Sequence, residues 1–323
     1  MRAGTFPAPA KQEANALVAF ECLHRGSLLE NGMLEKRYLL NIGRMLESGG
    51  DVLFREAFDR MDRERRQKVL SLKNIRARAA CTGAGLLIQK ALKDYRVYCR
   101  TECGSELGAG CLEELWIGSR AEPRIEPWAE PDAGWAGTRI EPWAEPPELE
   151  RFSVEELLLI LGRDVAENRY RYGNNGKPYL LDVPLQFNIS HSGDYVFCGV
   201  SEREIGVDIQ KIQGDRALRL ARRFFADPER RALEACGDGE LRQKMFFRMW
   251  VRKEAYGKLT GEGIAGVMGK CFWEDVSAGE EAACAEEKGL GHEDGLVWEE
   301  YDEPEGYRMA VCRFWPETYG KTG

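Results

Sequence analysis

Four positions can do chemistry together if the fold brings them close: Asp208, Gln210, Glu254 and Lys258. Asp208 and Gln210 sit in an apolar stretch, "IGVDIQKI". In a strand they share one face, while Val207 and Ile209 turn to the core. That face offers a carboxylate and an amide oxygen, both able to bind a hard cation, with charge from Asp208 alone. The plainer reading is two polar residues on a strand edge. In "WVRKEAYGK", Glu254 and Lys258 are one helical turn apart, and Trp250 precedes Glu254 by the same interval. Such a Glu–Lys pair usually does no more than stabilise a surface helix. Here Phe246, Phe247, Trp250 and Tyr256 surround it, so a partly buried pair is expected, one that a metal or a phosphate would help to offset.

His191 lies between Ser190 and Ser192. A serine-histidine hydrolase is one reading, but no G-x-S-x-G elbow surrounds it. A histidine beside hydroxyls and before a glycine can also donate to a phosphate oxygen. Upstream, Arg65, Arg66, Lys68, Arg76 and Arg78 form a basic run, either a solvated helix face or a cradle for a multiply charged phosphate ligand.

Certain elements must position these residues. Residues 34–43 read as a first strand and 50–58 as a helix. Asp62 can cap the helix that opens the basic run, whose apolar tail to residue 92 should be buried. "FSVEELLLILG" reads as a helix and "GNNGKPYLL" as a turn into an extended piece. "DYVFCGV" and "IGVDIQ", joined by polar "SERE", have the pattern of a hairpin. Residues 217–235 read as a helix interrupted near Pro228. Residues 242–261 read as a long amphipathic helix stopped by Gly261 and Gly263. Short strands follow, ending with "GYRMAVCRF".

Between these parts, residues 108–150 change in composition. "RIEPWAEP" occurs twice, at 124–131 and 139–146, an offset of 15 residues. Its prolines cannot continue a helix or sheet, so an exposed insertion is expected, with Trp128 and Trp143 available for local docking. Two copies are too few for a solenoid.

The chain is 323 residues long with a net charge of −8, which does not favour a nucleic-acid surface. No run of 18 apolar residues suggests a membrane span. The ten cysteines are scattered, and the loose group Cys99, Cys103 and Cys111 has no nearby histidine, a poor zinc pattern. A reducing cytoplasm fits. The first 32 residues read as a poorly patterned extension, and Met33 is an alternative translation start that the sequence leaves open.

Taken in order, "GKP" at 176–178, "FNISHSGDYVFCGV", "IGVDIQKI", "ARRFF" followed by Glu229, "WVRKEAYGKLTGEGI" and "GYRMAVC" resemble the 4′-phosphopantetheinyl transferases of the Sfp type. The resemblance spans roughly residues 38–314 and is weaker in the first half. It implies an α+β fold, a pseudo-twofold pair of similar subdomains, here expected at 33–175 and 176–316, with a tail at 317–323. It implies transfer of the phosphopantetheine arm of coenzyme A to a serine of an apo acyl or peptidyl carrier protein, with Mg²⁺, or Mn²⁺, on the diphosphate. A cytoplasmic monomer serving secondary-metabolite or fatty-acid synthesis is the corresponding expectation.

The implied roles are these. Asp208 and Glu254 hold the metal, with Gln210 beside them. Glu254 is also the base for the carrier serine, directly or through water. Lys258 binds phosphate oxygens and can protonate the leaving group. His191 holds the adenosine 3′-phosphate, helped by Arg65, Lys68 or Arg78. Gly176, Lys177 and Ser190 line the adenylate part of the cleft. Many relatives have Glu where this chain has Gln210, which removes a charge from the site without removing the site. Carriers are usually acidic too, so docking should use a local basic or apolar patch. Rival expectations are a non-catalytic coenzyme A or carrier-binding module, the Ser-His hydrolase, and an interaction protein built around the duplicated segment.

Overall fold

A computed structural model describes residues 34–102, 147–163, 165–173, 176–213, 217–272, 290–293 and 295–314. Nearly all of them lie in one compact unit, Met33–Cys99 with Pro147–Gly323. The N-terminal extension, the duplicated insertion with Trp128 and Trp143, Cys103, Cys111 and the tail lie outside the described residues.

The chain opens with β1 (Glu35–Asn41), α1 (Gly43–Leu46), α2 (Asp51–Asp59), α3 (Arg63–Ser71) and the long α4 (Ile75–Glu102). Next come β2 (Leu149–Ser153), α5 (Val154–Leu161), β3 (Tyr170–Tyr172), β4 (Pro178–Leu180), β5 (Gln186–Ser192), β6 (Tyr195–Ser201) and β7 (Ile205–Lys211). The last elements are α6 (Ala217–Phe224), α7 (Asp227–Ala235), α8 (Gly239–Thr260), α9 (Gly263–Gly266), β8 (Leu290–Glu293), β9 (Leu296–Tyr301) and β10 (Tyr307–Phe314). No described helix is long and apolar enough to cross a membrane.

Two four-stranded sheets organise the fold, in the orders β2-β1-β6-β5 and β7-β10-β9-β8. Each carries one long helix, α4 on the first and α8 on the second. This is the expected α+β pair of similar subdomains. Gly83 lets α4 close on the first sheet, since a Cβ there would meet Ile42, Val196 and Leu40. Gly206 does the same for α8 against β7, where a Cβ would crowd the Ala255 carbonyl oxygen and lie 2.6 Å from the Leu259 amide nitrogen.

Alternation divides the second sheet cleanly. Val207, Ile209, Met309 and Val311 pack with Leu39 and Phe197 of the first sheet, forming a core between the sheets. The opposite face carries Trp298, Ala310 and Cys312 against Val251, Ala255 and Leu259 of α8. Burying each large apolar side chain contributes roughly 1.5–3 kcal/mol. Across the interface Arg37 of β1 donates through Nε and Nη2 to both carboxylate oxygens of Glu299 on β9, each at 2.8 Å. Both side chains are almost fully buried. Arg37 and Arg313 hold the Glu299 carboxyl below its ordinary range, although burial alone would push it up.

Local signals operate as expected at several ends. The Asp62 side chain accepts from the Arg65 amide at 2.9 Å and caps α3. Asp238 caps α8, and Gly261 ends it in the left-handed conformation, φ 77°. Pro228 lies in the first turn of α7 and separates it from α6. β4 is the extended piece expected after the turn at Gly176, whereas β2 and the pairing of β4 with β3 were not foreseen.

The expected β6–β7 hairpin is not formed. Both edges of β6 are taken, by β1 and by β5, and β7 pairs with β10 in the other sheet. The hairpin is β5–β6, closed by Gly193 and Asp194 between the paired residues Ser192 and Tyr195. Gly193 has φ 56° and touches Tyr307, leaving no room for a side chain. The chain passes from the first sheet to the second at 202–204, downstream of the 175/176 boundary expected above.

Replacing Gly206 with alanine is predicted to force α8 off β7 and cost about 1–3 kcal/mol. Thermal unfolding checks this, and a Tm equal to the parent's would refute the close approach.

Candidate active site on strand β7 and helix α8

β5 and β7 are edge strands of different sheets, and side chains stitch them together. Asn188, Ser190 and Ser192 share one face of β5. Asn188 Oδ1 accepts from the Val207 amide at 3.1 Å, and Ser192 Oγ accepts from the Lys211 amide at 3.0 Å. Between them, Ser190 Oγ donates to Asp208 Oδ1 at 2.6 Å.

Asp208 is buried, 1% exposed, rather than lying on an open strand edge. Its carboxylate takes three donors: Ser190, Lys258 Nζ at 2.7 Å on the same oxygen, and Gln210 Nε2 at 3.0 Å on Oδ2. Lys258 also donates to the Val207 carbonyl at 3.1 Å. The expected Glu254–Lys258 pair is therefore replaced by a pairing of Lys258 with Asp208. Glu254 has no hydrogen bond or ion pair among the described residues. Burial first and the Asp208 charge next push its carboxyl above the ordinary range, with Lys258 opposing.

The roll of α8 decides which residues face β7. Lys253, adjacent to Glu254, points the other way, into the interior. It is fully buried and pairs at 2.8 Å with the equally buried Glu229 of α7. The Phe225 and Phe272 rings lie 5.3 and 5.4 Å from its ammonium, which also donates to the Lys270 carbonyl. Glu229 accepts from the amides of Ala226 and Phe272 as well. With every partner satisfied, this pair is locked in one arrangement and holds Glu254 one residue further round the helix.

His191 is the last residue but one of β5, at an exposed position. Loss of surrounding water and then the Lys258 charge hold its imidazole below the ordinary value, with Asp208 pulling it up. The structure thus joins Ser190, Asp208, Gln210 and Lys258 by direct bonds and sets Glu254 and His191 within electrostatic reach.

The remaining candidates stand apart from this network. Arg65 is buried against the Tyr170 ring at 5.1 Å. Arg78 stacks over Phe54 at 5.3 Å, its Nε buried without a partner. Lys68 is exposed on α3. Gly176 has φ 78° in the turn before β4. Lys177 pairs with Glu204 and donates to the Leu259 carbonyl at 3.2 Å, clasping the last turn of α8 beside Lys258.

Arg76 was not singled out from its basic run. It donates to the Gly193 carbonyl at 3.0 Å and to Asp194 at 2.7 Å, at the turn that follows His191. The partners are more than a hundred residues apart, so no local spacing could have paired them. Lys253 was equally hidden, since a lysine in a helix reads as a surface residue, and its pairing with Glu229, named above only as a motif residue, could not be read from either position.

The 4′-phosphopantetheinyl transferase superfamily matches residues 204–312, the segment holding Asp208, Glu254 and Lys258. A 4′-phosphopantetheinyl transferase of Bacillus subtilis is 31% identical over 157 residues, which cover 48% of this chain and 67% of that relative. The chain belongs to this superfamily. The transferase psf-1 of Bacillus pumilus is 36% identical over 139 residues, 43% of this chain and 57% of its own. HetI of Nostoc is 41% identical over 111 residues, 32% of this chain and 46% of its own. The chain thus matches less than half the length of that cyanobacterial transferase.

Glu254→Gln removes a charge that both burial and Asp208 oppose, so the superfamily site predicts a higher Tm for that variant at neutral pH in metal-free buffer. A lower Tm in calorimetry would show that the Glu254 charge is compensated.

Proposed function

We propose that this protein is a phosphopantetheinyl transferase of the holo-acyl-carrier-protein synthase type. It moves the 4′-phosphopantetheine arm of coenzyme A onto a serine of an apo acyl or peptidyl carrier protein and releases adenosine 3′,5′-bisphosphate. A cytoplasmic monomer is part of this reading. The observation that supports it most is the buried Asp208 carboxylate, held by Ser190, Gln210 and Lys258 beside Glu254, which has no ion pair among the described residues.

The donor set fits a hard divalent cation. Glu254 has a raised carboxyl beside a second carboxylate, an arrangement a cation would relieve. Asp208 Oδ2 carries a single donor and keeps acceptor capacity. No group of three His, Cys, Asp or Glu side chains suited to a metal occurs among the described residues. Mg²⁺ needs only one or two carboxylates when phosphate oxygens and water complete its shell. Asp208 and Glu254 would hold it, with the Gln210 amide oxygen as a third donor, and Mn²⁺ suits the same set. When bound, the ion supplies neutralisation of charge on the diphosphate oxygens.

The chain's own groups account for the proton movements. Glu254 accepts the proton of the serine hydroxyl as the new serine O–P bond forms, and its raised carboxyl brings it nearer the strength of a working base. The bond to the bridging diphosphate oxygen breaks, and Lys258 gives that leaving oxygen a proton. His191 donates from its ring N–H to the 3′-phosphate. Ser190 keeps its hydroxyl on Asp208, so its part is to orient that carboxylate. Gly176 and Lys177 border the adenylate part of the cleft, and Arg65, Lys68 and Arg78 supply the basic surroundings of the 3′-phosphate.

Incubation with coenzyme A, Mg²⁺ and a panel of apo carriers, read by intact mass, tests the reading. A carrier should gain one phosphopantetheine, and Glu254→Ala should slow transfer by about 10²-fold or more. Transfer that survives this substitution undiminished would remove Glu254 from the chemistry. Gln210→Glu adds a charged ligand and frees Asp208 Oδ2, so Mg²⁺ binding in calorimetric titration should tighten. Unchanged binding would show that residue 210 does not sense the metal.

A further inference from the structure

The hairpin that carries Gly176 and Lys177 is fastened to the start of α3 by two phenols. Tyr170 and Tyr172 lie on one face of β3. The Tyr170 hydroxyl donates to Asp62 Oδ2 and the Tyr172 hydroxyl to Glu64 Oε1, each at 2.8 Å. Asp62 is 1% exposed, and its two oxygens serve different partners. Oδ1 accepts from the Arg65 amide, while Oδ2 takes Tyr170 and, at 3.4 Å, the Asn168 amide. Burial first pushes the Tyr170 phenol above its ordinary range, with the Arg65 charge opposing and Asp62 adding, so the hydroxyl stays a donor.

The ring so fixed carries Arg65, whose guanidinium lies over it at 5.1 Å from the centroid. Arg65 is only 6% exposed, and its buried Nε has no hydrogen-bond partner. It forms no ion pair among the described residues. Asp62, three positions earlier, gives its carboxylate to an amide and a phenol instead of this cation. A buried guanidinium with an unused donor calls for an anion from outside the protein. Stacking on the ring fixes its plane, and with it the direction from which phosphate oxygens can meet its N–H edge. At its other end the same hairpin reaches α8, where Lys177 donates to the Leu259 carbonyl next to Lys258.

We propose that Tyr170, anchored by Asp62, is a positioning residue that orients Arg65 toward the 3′-phosphate of coenzyme A and so sets the preference for 3′-phosphorylated adenylates. This rests on the transfer reading for the identity of the ligand. Tyr170 acts through Arg65 and not by touching the nucleotide.

Isothermal titration with adenosine 3′,5′-bisphosphate and with adenosine 5′-monophosphate measures that preference as a ratio of affinities, with no carrier present. Tyr170→Leu should lower the ratio about tenfold, and Tyr170→Phe, which keeps the ring and loses the Asp62 bond, about threefold. Monophosphate affinity should stay at the parental value in both. The near-isosteric Phe variant decides the matter if the Leu variant does not fold. Arg65→Met should lower the ratio at least as far, and adding Tyr170→Leu to it should change nothing further. An unchanged ratio in the Tyr170 variants, equal losses for the two nucleotides, or additive losses in the double variant overturns the proposal. So does a parent that binds both nucleotides alike. A parental preference that falls as expected in the variants, with no transfer to any apo carrier by intact mass, would instead refute the transfer reading and leave the positioning of Arg65 standing.

Discussion

Two sheet edges meet at β5 and β7 without a backbone ladder between them. Each edge strand would otherwise leave buried amides and carbonyls without partners, a cost close to that of a lost hydrogen bond for each group. Asn188 and Ser192 remove part of that cost by accepting from the Val207 and Lys211 amides. Ser190, between them on the same face, gives its hydroxyl to Asp208. The seam that joins the subdomains is therefore also the device that orients the central carboxylate. The two serines beside His191 thus have a structural task, while the histidine between them stays exposed.

The same economy extends to α8. Gly206 permits the helix backbone to lie directly on β7, which brings Lys258 to Asp208. One residue before Glu254, the buried Lys253–Glu229 pair prevents the helix from rolling. A buried pair of this kind adds little net stability compared with a well-packed apolar pair, but losing one partner is costly. Its value here is in specifying a single rotation. Arg37 and Glu299 do the corresponding work between sheets, since a bidentate pair tolerates little sliding.

Sequence patterns carried the second subdomain well and the first less so. Alternation placed Val207 and Ile209 in the core and Asp208 on the opposite face, and helical spacing put Glu254 and Lys258 over the same strand. Caps at Asp62 and Gly261 were equally readable because their partners are local. The β6–β7 connection was misread because a strand's free edges depend on the whole sheet order, which no short window contains. The Lys258–Asp208 pairing and the Arg76 contact with Asp194 were invisible for the same reason, as each joins segments at least fifty residues apart. Burial of Arg65 and of Lys253 ran against residue type, and only the rings and carboxylates packed around them explain it.

Gln210 draws these threads together. Its amide donates to Asp208 Oδ2, something a glutamate could not do in its ionised form. Compared with a glutamate at this position, glutamine offers Asp208 a donor instead of a competing acceptor and spares it a second carboxylate at close range. Asp208 also pushes the Glu254 carboxyl up, and no hydrogen bond reaches Glu254 among the described residues. The two acids thus stand in different states, one with three donors and the other with none among the described residues. Asp208 is fixed by its donors, and Glu254 holds a proton more readily than an ordinary carboxyl because burial and the Asp208 charge both disfavour its ionised form.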